Sequence, residues 1–178
     1  MATERLIVDN IITLTSLVGS VTDIDDDPDG PDDGNWIYSD GSSASIFTGE
    51  FETPSRSLED GAGLQEFRVK LRKSLGDSGN IGGDPSGGNA VDFTIQLVEN
   101  GTSITTLVTD SFTGAGGLQT TVFSGTFNAS SITNPSLVQV TVTQTSGSSG
   151  NPNNRRYLDV GAVEWNAVTL DPRYIIIS

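Results

Sequence analysis

Neither cysteine nor histidine occurs in the 178 residues of this chain. Without thiols there is no disulfide framework, which fits folding in a reducing compartment. The usual general base, the thiol nucleophile, the common zinc ligands and any Ser-His-Asp arrangement are missing as well, and most hydrolase mechanisms go with them. A glycosidase needs only two carboxylates, yet no pair in the sequence is singled out at the separation that chemistry requires. The chain therefore reads as non-enzymatic. Long apolar runs are also lacking: none approaches the ~18 residues that span a bilayer. Met1-Ala2-Thr3-Glu4-Arg5-Leu6 has neither the basic start nor the apolar stretch of a secretory signal. The expectation is a soluble, non-secreted protein. Positive charge is scarce too. Nine Lys and Arg stand against 23 Asp and Glu, for a net charge of −14. Such a surface repels phosphate backbones and anionic lipid, so neither nucleic acid nor membrane is an expected partner.

What is present is Gly, Ser, Thr and Asp, a composition that disfavours helices and suits short strands joined by turns. Period-two patterns recur. Phe67, Val69 and Leu71 alternate with Glu66, Arg68, Lys70 and Arg72. Val91, Phe93, Ile95 and Leu97 alternate with Asp92, Thr94 and Gln96, and Val138, Val140 and Val142 with Gln139, Thr141 and Thr143. Each reads as a half-buried strand. Asn100-Gly101 between two strand-like runs predicts a hairpin, because a type I′ turn needs positive φ at both central residues. Further strands are expected near 11–18, 36–39, 44–52, 104–110, 118–127 and 156–166. The spacing fits an all-β protein, an antiparallel β-sandwich or jelly-roll-like fold, in a single domain over 1–178. Residues 1–10 read as an extended arm and 168–178 as an apolar terminal segment. Two long loops, Leu75–Asn89 and Gln144–Arg155, stand out as functional or mobile.

The densest chemistry lies at 23–33, where seven carboxylates occupy eleven residues before the chain reaches Trp36. Adjacent like charges repel by roughly 1 kcal/mol even in a water-like dielectric, so an ordered segment requires a cation or a basic surface beside it. Asp25-x-Asp27-x-Asp29-Gly30, with Asp33 at the ninth place, mimics half of an EF-hand loop. The twelfth place holds Trp36 instead of a bidentate Glu, and two prolines interrupt, so it is no EF-hand. Asp25, Asp27, Asp29 and Asp33 remain candidate ligands of a calcium ion in a sandwich loop, set against a plain solvated acidic loop; no cofactor is required on either reading.

Arg68, Lys70 and Arg72 share one strand face, which stands out in so acidic a chain. They read either as an outer face paired with neighbouring acids or as a docking stripe for an acidic neighbour, such as the Asp-rich loop of another copy. Trp36 and Trp165 read as core anchors, with sugar stacking on an exposed tryptophan as the alternative. Tyr174, Ile175, Ile176 and Ile177 form an apolar, β-prone end that would aggregate if left bare, so it is expected to pair with a sheet edge, either its own or a partner's.

Three stretches, Asp26–Trp36, Gly63–Val69 and Val160–Ala167, together resemble a set of small structural proteins of tailed-bacteriophage virions. The resemblance implies a head decoration (cement) protein on the outer capsid surface, made and assembled in the host cytoplasm, with the major capsid protein and other copies of itself, in a homodimer or homotrimer, as partners. It carries over no catalytic or metal residue. The apolar tail beyond Ala167 departs from that pattern, in which the chain tends to end near the alanine. A phage tail component, or a receptor-binding or carbohydrate-binding β-sandwich module, is the alternative. Acidity and small size favour the capsid reading, because such a surface stays clear of the genome and clamps by many weak contacts.

Overall fold

The computed structural model describes residues 1–30, 34–75, 87–113 and 120–170. Among the described residues, ten strands carry the fold: β1 (Ala2–Thr15), β2 (Leu17–Val18), β3 (Tyr38–Ser39), β4 (Ile46–Phe51), β5 (Gln65–Ser74), β6 (Val91–Glu99), β7 (Thr102–Phe112), β8 (Thr120–Phe127), β9 (Val138–Gln144) and β10 (Tyr157–Thr169). All pairings are antiparallel. Apart from a small β2–β3 ribbon, the order is β7-β6-β9-β4-β1-β10-β5-β8. Among the described residues helix is confined to four short 3₁₀ turns, and no helix is long and apolar enough to cross a membrane.

The two layers of this antiparallel β-sandwich share β1. Its first half pairs with β10 and its second half with β4, with register shifts at Val8/Asn10 and Ile11/Thr13. Bulges bend a strand and raise its twist, which lets one strand pass from layer to layer. The segment expected as a free arm, 1–10, is therefore corrected: from Ala2 onward it is a central strand, anchored by Leu6 and Val8 at 6% and 2% exposure.

Between the layers lies an aromatic core. Phe67 meets Phe51 and Phe127 at 4.9 Å and Trp165 edge-on at 6.1 Å. Burying each such ring contributes about 1.5–3 kcal/mol. The indole Nε1–H of Trp165 donates to Gln65 Oε1 at 3.3 Å, and Gln65 Nε2 donates to the carbonyls of Glu59 and Val168, so the polar atoms of this Trp–Gln pair are satisfied. The Asn-Gly hairpin forms as expected, with φ of 48° at Asn100 and 76° at Gly101.

One expectation about the outer layer fails. Alternation predicts that Arg68, Lys70 and Arg72 face water, yet Lys70 is 8% and Arg72 6% exposed, and β10 is buried on both faces along most of its length. The chain between β2 and β3 covers them.

Candidate functional site: an acidic strap and two clefts beside β7

The Asp-rich segment crosses the outer face of β5 and β10 as a strap. It starts in a 3₁₀ turn, Val21–Asp23, where the Asp23 carboxylate accepts from the Ser20 backbone N–H at 2.6 Å and its hydroxyl at 2.9 Å. Ile24, 1% exposed, then plugs against the sheet, and its carbonyl accepts from Val163 N–H at 3.4 Å. Pro28 is buried as well. Two arginines and one glutamate bind the strap. Arg5 donates through Nη2 to the carbonyls of Asp26 (2.6 Å) and Asp25 (3.3 Å), and through Nε to Glu164 at 2.6 Å. Arg68 pairs with Asp29 at 2.5 Å and with the other oxygen of Glu164 at 3.0 Å. The hydrogen bond to Asp29 is the main reason the Arg68 guanidinium is held above its usual range.

Further along, Trp36 lies over the Arg72 guanidinium at 4.2 Å and the Lys70 ammonium at 5.8 Å. Its ring sits where β10 has a bulge at Gly161: a Cβ there would come within 2.5 Å of the indole. Beneath, Asp159 accepts from Arg72 Nε at 2.8 Å, Ser39 N–H at 2.8 Å and Ser74 Oγ at 2.9 Å. Burial still pushes the Asp159 carboxyl above the usual carboxylate range, against the pull of Ser39, Arg72 and Ser74. Because the ring is packed on bare backbone, Gly161→Ala is expected to destabilise by about 1–3 kcal/mol through overpacking and to shift Trp36 emission to the red. Urea titration followed by fluorescence checks this; an unchanged midpoint would mean the strap lies loosely on the sheet.

The sequence-predicted residues thus fall as follows. Arg68 and Arg72 are engaged by acids of their own chain, and Lys70 lies beneath Trp36; those acids are Asp29 of the strap and Glu164 and Asp159 of β10. Among the described residues no three acidic side chains converge in a way that could hold a metal ion. Asp29 is committed to Arg68, and Asp27 Oδ1 accepts from the Asp29 N–H at 2.9 Å, while Asp33 lies outside the described residues. Tyr174, Ile175, Ile176 and Ile177 lie outside them as well. Both tryptophans are buried, Trp36 at 5% and Trp165 at 0% exposure, so neither offers a stacking platform.

Two clefts flank β7, an edge strand, and sequence reading missed both. The first, about 450 Å³, opens where the end of β7 meets the start of β8. Phe123 forms its apolar floor, backed by Phe93 at 4.7 Å and Phe112 at 5.6 Å. Asp110, Ser111, Thr113, Thr120 and Thr121 supply a polar rim. Lys73, fully buried, donates to the Thr113 carbonyl at 2.7 Å and fixes that corner. Close approach of the two layers depends on Gly125, where a Cβ would come within 2.5 Å of Leu107 on β7. The second cleft, about 470 Å³, lies at the other end of β7 between Glu99, Asn100, Thr102, Ile104 and the Thr133–Asn134 turn. Burial disfavours the Glu99 anion, but hydrogen bonds from Asn134 and Thr133 outweigh it and hold that carboxyl below its usual range.

No family model matches the chain, and no curated protein does either. Among solved structures, it is similar to a family 35 carbohydrate binding module from an environmental isolate, with a TM-score of 0.43, 12% identity, and 92% of this chain and 91% of that one covered. It is also similar to the CBM35 of Abf62 from Cellvibrio japonicus, with a TM-score of 0.40, 14% identity, and 94% and 95% covered. At that level of overlap the likeness assigns neither a ligand nor a site.

Proposed function

We infer that this chain is a non-catalytic carbohydrate-binding β-sandwich module whose ligand seats in the cleft between β7 and β8. The observation that carries the reading is Phe123. Of the seven phenylalanines, six are buried and Phe123 alone is partly exposed, at the floor of a cleft rimmed by hydroxyls and one carboxylate. A sugar presents both surfaces such a cleft asks for: a C–H face that packs on an aromatic ring, and hydroxyls that donate to a carboxylate and exchange hydrogen bonds with Ser and Thr. Catalysis has no support in the same place, because among the described residues Asp110 is the one carboxylate lining this cleft and glycoside hydrolysis needs two. The net charge of −14 turns away anionic ligands, so a neutral glycan is the expected class.

Affinity electrophoresis through gels containing xylan, galactomannan, mixed-linkage β-glucan or polygalacturonate tests the reading. The wild-type chain is expected to be retarded by a neutral polysaccharide and not by polygalacturonate. Phe123→Ala, with its circular dichroism unchanged, is expected to lose at least about 2 kcal/mol of binding, roughly thirtyfold. Free migration of the wild type in every gel would overturn the reading and return the chain to the virion expectation. Counting its copies against the major capsid protein in purified particles would then be the next step.

A further inference from the structure

The two clefts sit at opposite ends of the same strand, and most of β7 between them is exposed and uncharged. From Thr102 to Thr109 the strand reads Thr-Ser-Ile-Thr-Thr-Leu-Val-Thr, without one charged residue in a chain that is 18% charged. Thr102, Ser103, Ile104, Thr105, Thr106 and Thr109 are all exposed. An uncharged edge of this kind would ordinarily invite strand addition by another chain. Here β7 carries two register shifts against β6, which leave Leu107 and Ile104 as extra residues out of the ladder. Bulges of this sort twist an edge away from regular backbone pairing, so the side chains rather than the backbone are offered to a partner.

We propose that the edge of β7 is an extended glycan track joining the two clefts, and that the ligand is a linear neutral polysaccharide gripped along its length. The proposal rests on the carbohydrate-binding reading of the first cleft and specifies its ligand. Cleft to cleft, from Ile104 to Phe112, the strand covers about 26 Å at roughly 3.3 Å per residue, so a disaccharide fills one cleft and only a chain of about six sugars reaches both. Seated this way, the chain would meet Phe123 and Asp110 at one end, the hydroxyls of Thr105 and Thr109 midway, and Ile104 beside Asn100 at the other. Engagement of the second cleft is then intramolecular, so affinity gains from length without any new kind of contact.

Isothermal titration of the full chain with xylo-, manno- and cello-oligosaccharides of two to eight units tests the track. Within the series that binds, affinity is expected to climb with length, gaining about a hundredfold between the disaccharide and the hexasaccharide and levelling off beyond it. Ile104→Ser and Thr105→Ala, both at exposed positions, are each expected to weaken the hexasaccharide about fivefold while leaving the disaccharide unchanged. If the disaccharide binds as tightly as the hexasaccharide, and Phe123→Ala abolishes both, the track is overturned while the single-cleft reading stands. If no oligosaccharide of any length binds, both fall together.

Discussion

Arg72→Met is expected to destabilise the fold by about 3–5 kcal/mol at neutral pH, because it strips Asp159 of its buried counter-ion. The carboxylate would keep the Ser39 N–H and the Ser74 hydroxyl but lose the guanidinium at 2.8 Å, in a site where it is 1% exposed. The pH dependence has a definite sign. Burial already raises the folded carboxyl above its usual value, and removing Arg72 raises it further. A carboxyl with a raised folded pKa favours the folded state below its unfolded pKa, and that contribution fades as pH rises through the folded value. The deficit of the variant should therefore shrink toward acidic pH and grow toward alkaline pH. Urea midpoints for wild type and Arg72→Met across the pH range read it directly; a deficit that grew on acidification would mean the pair is not held as described.

Trp36→Ala should cost a comparable amount, about 3–5 kcal/mol, for a different reason. The indole is 5% exposed and covers Arg72, Lys70 and the bulge at Gly161 at once, so truncation leaves a hole between the strap and β10. Because the strap is also tied by Arg5 and Arg68, the expected outcome is a loosened strap on an intact sandwich. Limited proteolysis should cut between β2 and β3 well before the rest of the chain. Combined with Arg72→Met, the two losses should fall short of adding by 0.5–3 kcal/mol, since the side chains touch. Full additivity would show that the ring and the guanidinium act independently.

How much of this was legible beforehand differs from element to element. The strands at Phe67–Leu71, Val91–Leu97 and Val138–Val142 were readable because period two is a local signal, and so was the Asn100-Gly101 turn. The charge on the Asp-rich segment called for either a cation or a basic surface, and the structure supplies the second from Arg5 and Arg68 of the same chain. Asp29 and Arg68 are 39 positions apart, and only the sheet brings them together. The same distance problem hid the strap's effect on β5, where an alternating strand turned out buried on both faces. Residues 1–10 read as an arm because Glu4, Arg5 and Asp9 dilute the apolar pair Leu6 and Val8, yet bulges let this one strand serve both layers. The clefts beside β7 were out of reach altogether. Phe123 and Asp110 belong to strands of different layers, and neither strand shows in its own sequence that the layers meet there.

Three stretches singled out in the sequence, Asp26–Trp36, Gly63–Val69 and Val160–Ala167, prove to be neighbours in space. Asp29 of the first binds Arg68 of the second, Trp36 of the first packs on Gly161 of the third, and Glu164 of the third holds Arg68 and Arg5. Together they form one packing unit: a strap, the strand face it covers and the bulge that seats its tryptophan. That unit is structural, and it lies apart from the residues that line the clefts.

Chemical-shift mapping of the isotope-labelled chain, titrated with the neutral oligosaccharide that binds best, tests that separation most directly. Perturbations are expected at Asp110, Ser111, Thr121 and Phe123, spreading along Thr105 and Ile104 as the ligand lengthens, with Asp25–Asp29 and Trp36 unmoved. Perturbations confined to the strap, or none at saturating ligand, would contradict that separation.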